Sequence, residues 1–412
     1  EDQRVNEELS SAPVSTETIE FDPFSSDFFD DPYDTYRALR DEAPVYYSNK
    51  YDFYALSRHA DVLAAHLDPG RFSSAYGLTV DMLLEKKRVG MNMMIMMDQP
   101  EHTQLRRMIN QAFSRRTIEG LEPLVIETVK SFLGDLDGRA EFDLIADFAA
   151  LFPVEVISAM LGVPSPDRQQ IRHWVDAMLF REAGSPNITQ EGMVASLELA
   201  TYFIDLVKEK RQNPDDLIIS RLIEVSAVDT DGSERRLSDD DVAGFSVLIS
   251  AAGSETVTKL IGNGAALFDS HPEQWRLVLD DSGMIPAAVE EILRFNPPSQ
   301  YQGRFTTQEV RLESGVIPAG SPTLLLTGAA TRDPRAFDRA DEFDITRDAH
   351  AALGFGHGIH TCLGAWLARL ESRVAFEEIR TRWPNFHVDL DQGVRVNMSN
   401  VAGYAHLPFF TS

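Results

Sequence analysis

The residues with the clearest chemistry sit in one loop, Phe355-Gly356-His357-Gly358-Ile359-His360-Thr361-Cys362-Leu363-Gly364. Cys362 is the only cysteine of the 412 residues, and it opens an apolar helical run over 363–370. A thiol at a helix N-terminus can be held as a thiolate, because free backbone N–H groups and the helix dipole stabilise negative charge. A lone cysteine taken at random is more often a buried small hydrophobe. The glycines at 356, 358 and 364 reverse that expectation. They let the backbone pass close to a flat ligand, which a merely buried cysteine does not need. One such ligand is haem, whose iron, held by a single thiolate, gains electron density that favours O–O cleavage.

Other residues fit the same chemistry. Glu255 and Thr256 follow Ala251-Ala252-Gly253-Ser254 in the middle of a helical pattern over 239–269. An acid and a hydroxyl at one turn can relay protons to a metal-bound oxygen. The small residues before them, Ala252 and Gly253 included, would give a ligand room and should loosen the hydrogen-bond ladder. The competing reading is an exposed Glu and a Thr bonded back to its own helix. His102 and Arg106 lie one turn apart and suit an anionic group such as a haem propionate, which Arg304 and His360 could also reach. Glu291 and Arg294 lie one turn apart as well. They form either a surface ion pair of little worth or a buried bidentate clamp, with Arg347 as its third member.

The elements that must position these residues are mostly helical. The pattern predicts helices over 33–42, 58–67 and 284–295, successive helices through most of 100–225, and a hairpin over 46–57. It predicts short strands at 310–314 and 323–326. Two stretches lack periodicity, 75–97 and 330–361, and long irregular stretches are usually functional. Residues 1–20 read as a loose acidic arm, and no linker divides 21–412. Apolar content of 43% is ample for a large core, and no apolar run reaches membrane-spanning length. The expectation is a cytoplasmic protein, without disulfides or an iron–sulfur cluster on its own cysteines. A net charge of −27 argues against general affinity for nucleic acid or anionic membranes. Arg106, Arg107, Arg115 and Arg116 form a basic cluster inside this acidic chain, which reads either as a solvated helix face or as a docking patch for an acidic partner.

Taken together, these residues resemble a bacterial cytochrome P450 over almost the whole length. The cysteine loop fits the family's Phe-Gly-x-Gly-x-His-x-Cys-x-Gly signature. Ala252-Gly253-Ser254-Glu255-Thr256 fits its oxygen-activation helix, and Glu291-Ile292-Leu293-Arg294 its Glu-x-x-Arg clamp. Glu101-His102-Thr103-Gln104-Leu105-Arg106 fits the propionate-binding helix, and Thr331-Arg332-Asp333-Pro334 the segment before the haem loop, all in family order. Val257, Leu353 and Gln99 depart from frequent family residues without touching the ligand or the acid–alcohol pair.

The resemblance implies a mainly α fold with a small β-rich lobe, and haem b between the long central helix and the cysteine-loop helix. Cys362 would be the axial metal ligand, with His102, Arg106, Arg304 and His360 on the propionates. Phe355, Gly356, Gly364, Ala252 and Gly253 would lie against the cofactor. Thr256 and Glu255 would deliver protons, while Glu291, Arg294 and Arg347 would be scaffold. The implied activity is insertion of one oxygen atom from O2 into a hydrophobic terpenoid, lipid-like or aromatic molecule. The substrate would meet Met94, Leu179, Leu248, Ala252, Pro298 and Tyr301. Most of the methionines of 91–97 read as core packing, with a few in the pocket wall. No Gly-rich dinucleotide fingerprint is present, so electrons should come from a ferredoxin and its NAD(P)H reductase, to a monomer. Two other functions stay open at this point, a peroxide-driven peroxygenase and a non-catalytic haem sensor.

Overall fold

The structure is a computed structural model that describes residues 19–90, 93–113, 115–228 and 234–411. The expected arm 1–20 falls almost entirely outside the described residues, as do Met91 and Asn92 of the methionine-rich stretch.

One helix, Asp239–Ser270, organises the molecule. Ser238 starts it: its hydroxyl accepts from the Asp241 N–H, while the Asp241 carboxylate accepts from the Ser238 N–H. Asp239, Asp240 and Asp241 crowd the first turn, where the helix dipole favours negative charge. His271 and Pro272 end it, since proline cannot continue the ladder and instead opens the next helix, Pro272–Asp280. Beyond its first turn, the helix is buried on nearly every side, as befits a core element.

The expected loosening near residue 253 does not occur; the helix runs through unbroken. Two hydroxyls bond back to the helix, Ser254 donating to Ser250 O at 2.7 Å and Thr256 to Ala252 O at 2.8 Å, the latter as the competing reading of Thr256 expected. Packing offsets the glycine's cost of about 1 kcal/mol in helix propensity. A Cβ at Gly253 would lie 2.8 Å from Ile157 Cδ1, so the glycine lets helix Phe152–Leu161 come close.

Helices Phe152–Leu161, Arg168–Leu179, Gln190–Gln212, Ile285–Phe295 and Ala365–Arg382 pack around the central one. Together they bury a large apolar core that includes Phe148, Phe203, Phe268 and Phe376. A smaller lobe holds a five-stranded sheet in the order Val45–Ser48, Phe53–Leu56, Pro322–Leu325, Gln302–Thr306, Phe72–Ser73. Its own core contains Phe28, Tyr36, Phe53 and Tyr301. The strand Gln302–Thr306 carries Arg304 and ties the lobe to the chemistry described below. Among the described residues, no helix is long and apolar enough to cross a membrane.

The irregular stretch 330–361 is held by side chains in place of periodic backbone. Arg294 and Glu291 are fully buried and bonded twice, each N–O distance 2.7 Å. Arg294 also donates to the carbonyls of Thr331, Ala340 and Glu342 at 2.8–3.0 Å. Glu291 accepts from the Asp344 N–H at 3.0 Å and from Arg347 Nε at 3.3 Å. The pair is therefore the clamp form, and it fixes the chain that leads into the cysteine loop.

Candidate active site

The cysteine loop is shaped by its backbone. Gly356 and Gly358 have φ of 67° and 70°, a region that side chains rarely adopt. A Cβ at Gly358 would lie 2.4 Å from His66 O, so this glycine admits helix His59–Leu67, contrary to the expectation that a flat ligand requires it. Gly364 is different, because a Cβ there would meet nothing nearer than Cys362 Sγ at 4.0 Å. The Cys362 N–H donates to Phe355 O at 2.8 Å and closes the loop just before helix Ala365–Arg382. Phe355 in turn lies under the Arg369 guanidinium, 4.5 Å from its ring centre, while Arg369 pairs with Glu290.

Cys362 is solvent-accessible although protein surrounds it on most sides, so it lines an internal cleft. Burial pushes its thiol pKa up, and the Gly364 N–H and the charges of Arg106 and Arg369 offset this only in part. The helix N-terminus alone thus does not give a thiolate, as the sequence suggested it could. A metal ion would, because a coordinating thiol is deprotonated outright.

Beside the thiol lies a cradle of two arginines and two histidines. Arg106 donates to Thr361 O at 2.9 Å, and the His102 and His360 rings are 4.2 Å apart. Arg304 comes from the sheet, and its side chain makes a hydrogen bond to the carbonyl of Gly303 at 2.7 Å. Burial lowers the Arg304 pKa to about 10. Burial and the neighbouring cations push His102 down to about 4 and His360 to about 2. Asp98 is the nearest carboxylate, and Ser73 and the Ser74 N–H already bond it. Both ring nitrogens of His102 are buried without a partner. Buried polar groups of this kind call for a hydrogen-bonding, anionic occupant, which the two carboxylates of haem fit.

The sequence did not single out His66 or Asp98. His66 is buried beside the cradle with both ring nitrogens unpartnered, and burial and Arg304 lower its pKa to about 3. Its helix carries no motif that could have marked it; Asp98, just ahead of His102, was legible as a neighbour of that pair.

The central helix presents Leu248, Ala251 and Thr256 partly exposed and Ala252 exposed, in the middle of an otherwise buried element. That face can admit a ligand. Glu255 points elsewhere: it is 2% exposed and lies 2.9 Å from Lys259 Nζ. It is neither the exposed Glu of one expectation nor a group open to the cleft. At Gly253 an added Cβ would point at Ile157, although the residue itself is partly exposed.

The expected substrate residues divide. Leu248 and Ala252 are on the accessible face. Leu179 and Pro298 are brought to the turn near 398–402 by Ser399 N to Leu179 O at 3.2 Å and Ala402 N to Pro298 O at 2.8 Å. Met94 is buried in the helical core, as core-packing methionines are. Tyr301 is fully buried in the core of the β lobe, its hydroxyl donating to Ser399 O at 3.4 Å. Its expected contact with substrate is not supported, because its ring packs within that core beside Phe28.

A cleft-lining thiol and an anion cradle assembled from helix, sheet and loop define a haem-thiolate protein. The comparisons agree. The profile of the family described as Cytochrome P450 matches residues 280–403. A putative cytochrome P450 123 of Mycobacterium tuberculosis is 41% identical, over 96% of this chain and 98% of its own. A vitamin D(3) 25-hydroxylase of Pseudonocardia autotrophica is 38% identical, with the same coverage of 96% and 98%. The structure of cytochrome P450 CYP109Q5 from Chondromyces apiculatus aligns with a TM-score of 0.85 at 29% identity, over 96% of this chain and 98% of that one. The chain belongs to the cytochrome P450 family. It is an oxidoreductase, a monooxygenase, and its family binds haem b through a cysteine axial ligand.

Proposed function

We propose that this monooxygenase inserts one oxygen atom from O2 into a hydrophobic small molecule of terpenoid, lipid-like or aromatic type. Electrons would come from NAD(P)H through a ferredoxin and its reductase. The single observation that carries the site is the convergence of His102, Arg106, Arg304 and His360 beside the Cys362 loop. Cys362 is the thiolate ligand in this reading, and the four basic side chains hold the propionates. The haem, when bound, supplies the activation and transfer of oxygen.

The chain's own residues do the rest. Arg106 bonds the backbone of Thr361 and so couples the cradle to the cysteine turn. Thr256 holds its hydroxyl proton on Ala252 O, leaving its oxygen lone pairs free to bind water at the cleft. Glu255, one residue back, keeps an acid on the dry flank of the same turn. Leu248, Ala251 and Ala252 offer an apolar wall, and mainly apolar walls are usual for small-molecule sites. The relative that is a vitamin D(3) 25-hydroxylase supports a bulky apolar substrate.

The test is reconstitution with a ferredoxin, its reductase and NADPH, after screening apolar compounds for a spin-state shift of the haem band. The reading expects a product heavier by one oxygen atom that needs all components. Product formed with hydrogen peroxide but never with NADPH and ferredoxin would contradict it.

A further inference from the structure

The cradle side chains come from three elements: His102 and Arg106 from helix Glu101–Ala112, Arg304 from strand Gln302–Thr306, and His360 from the cysteine loop. Asp98 joins all three. Its backbone carbonyl accepts from the His102 N–H at 2.8 Å. Its carboxylate accepts from Ser73 Oγ at 2.5 Å and from the Ser74 N–H at 2.8 Å. Ser73 pairs in the sheet with Phe305, the neighbour of Arg304. Ser74 Oγ lies 3.1 Å from His360 Nε2. Both serines are buried, so water competes little for these bonds. Arg88 is exposed and 4.0 Å from the Asp98 carboxylate, too far for a hydrogen bond. Among the described residues, Ser74 Oγ has no second partner, His360 Nδ1 has none, and His360 is partly exposed.

We infer that Ser74 and Asp98 are positioning residues of the haem carboxylate site: Asp98 holds Ser74, and the Ser74 hydroxyl sets which nitrogen of His360 carries the proton. The inference rests on the reading of His102, Arg106, Arg304 and His360 as propionate residues. In a neutral imidazole one nitrogen donates and the other accepts. A carboxylate only accepts, so the tautomer that suits it has its proton on Nδ1 and a bare Nε2. The Ser74 proton, which no other partner takes, fills that Nε2. Without the hydroxyl the two tautomers compete, and one of them offers a lone pair where the carboxylate needs a donor. Hydrogen bonds to one ring nitrogen fix the tautomer and orientation of ligand-binding histidines in this way. Asp98 acts one bond further out, by tying the Ser74 backbone to the start of the helix that brings His102. Both act through His360, and neither is a catalytic residue.

Haem transfer from the purified holoprotein to excess apomyoglobin reads the effect without turnover. Ser74→Ala should lose haem about tenfold faster, the low end of the roughly 10–100-fold effect of partners that orient metal-bound histidines. Ser74→Thr, which keeps the hydroxyl, should stay near wild type. Asp98→Ala should act in the same direction, and Asp98→Asn, whose amide oxygen still accepts from the Ser74 N–H, should recover most of the loss. Two controls separate positioning from mere support of the fold. In a His360→Phe background, Ser74→Ala should add nothing. With the dimethyl ester of haem, whose carboxylates are blocked, wild type and Ser74→Ala should release at the same rate. Equal rates for wild type and Ser74→Ala with haem itself, or an acceleration that persists in both controls, would overturn the inference. If Ser74→Ala does not fold, Asp98→Ala and Asp98→Asn decide under the same two controls. A wild-type protein that holds haem and its dimethyl ester equally well would sink the propionate reading itself.

Discussion

Thr256 Oγ1 donates to the carbonyl of Ala252 at 2.8 Å, and Ala252 is the exposed residue of a helix otherwise buried around it. The hydroxyl is therefore oriented by its own helix and presents its lone pairs where a ligand can come. Thr256→Ala should keep the fold and substrate binding while separating electron use from product. Product per NAD(P)H should drop by roughly tenfold or more, within the range of acid–base effects, and Thr256→Ser should recover most of it. Wild-type coupling in Thr256→Ala would remove Thr256 from proton delivery.

Arg294 and Glu291 have no solvent exposure and make two bonds to each other, and Arg294 gathers three carbonyls from 331–342 besides. Glu291→Ala leaves a buried charge without its partner, a change that costs about 3–5 kcal/mol. Chemical denaturation should show a loss of this size, with weaker retention of haem, because the clamp sets the path of the cysteine loop. A loss below about 1 kcal/mol, the value of an exposed pair, would mean the clamp carries no such load.

Glu371, on the helix that follows Cys362, is buried with Oε1 unpartnered, and burial raises its pKa well above the ordinary glutamate value. The folded chain keeps this proton at pH values where the unfolded chain has released it. Stability present below pH ~4.5 is therefore lost as the pH rises, by about 1.4 kcal/mol per unit for one proton. Glu371→Gln should gain on wild type by this increment from about pH 5 upward. Urea unfolding at several pH values checks it, and a difference that does not change with pH would contradict it.

The basic cluster expected at 106–116 is split by the fold. Arg106 turns inward to Thr361 O, while Arg107 and Arg116 are exposed; the Arg115 side chain is outside the described residues. Reversing the charge of Arg107 and Arg116 should weaken ferredoxin binding at low salt, and the effect should fade as salt screens it. Titration calorimetry or the salt dependence of electron transfer reads this, and unchanged affinity at low salt would place docking elsewhere.

The sequence carried the central helix nearly to the residue, because a capping Ser238, three acids and an apolar run mark its ends without tertiary help. It also carried the helix Tyr33–Glu42 to its ends, from the Asp31-Pro32 punctuation before it. Its readings of single glycines were less secure. Gly253 and Gly358 are required by Ile157 and by the backbone of His66, contacts distant in sequence that no local pattern encodes. Helix Pro272–Asp280 and the short strands near the C-terminus were not anticipated, since strands as brief as His387–Val388 leave almost no alternation to read. Glu255 and Lys259, one turn apart, were legible as a pair.

The central claim is that Cys362 binds the haem iron as a thiolate. The visible spectrum of the reduced protein under carbon monoxide tests it most directly. The account predicts the far-red-shifted Soret band of a thiolate complex, abolished in Cys362→Ala. A band typical of histidine or neutral-thiol ligation in the wild-type protein, or an unshifted wild-type band in Cys362→Ala, would contradict it.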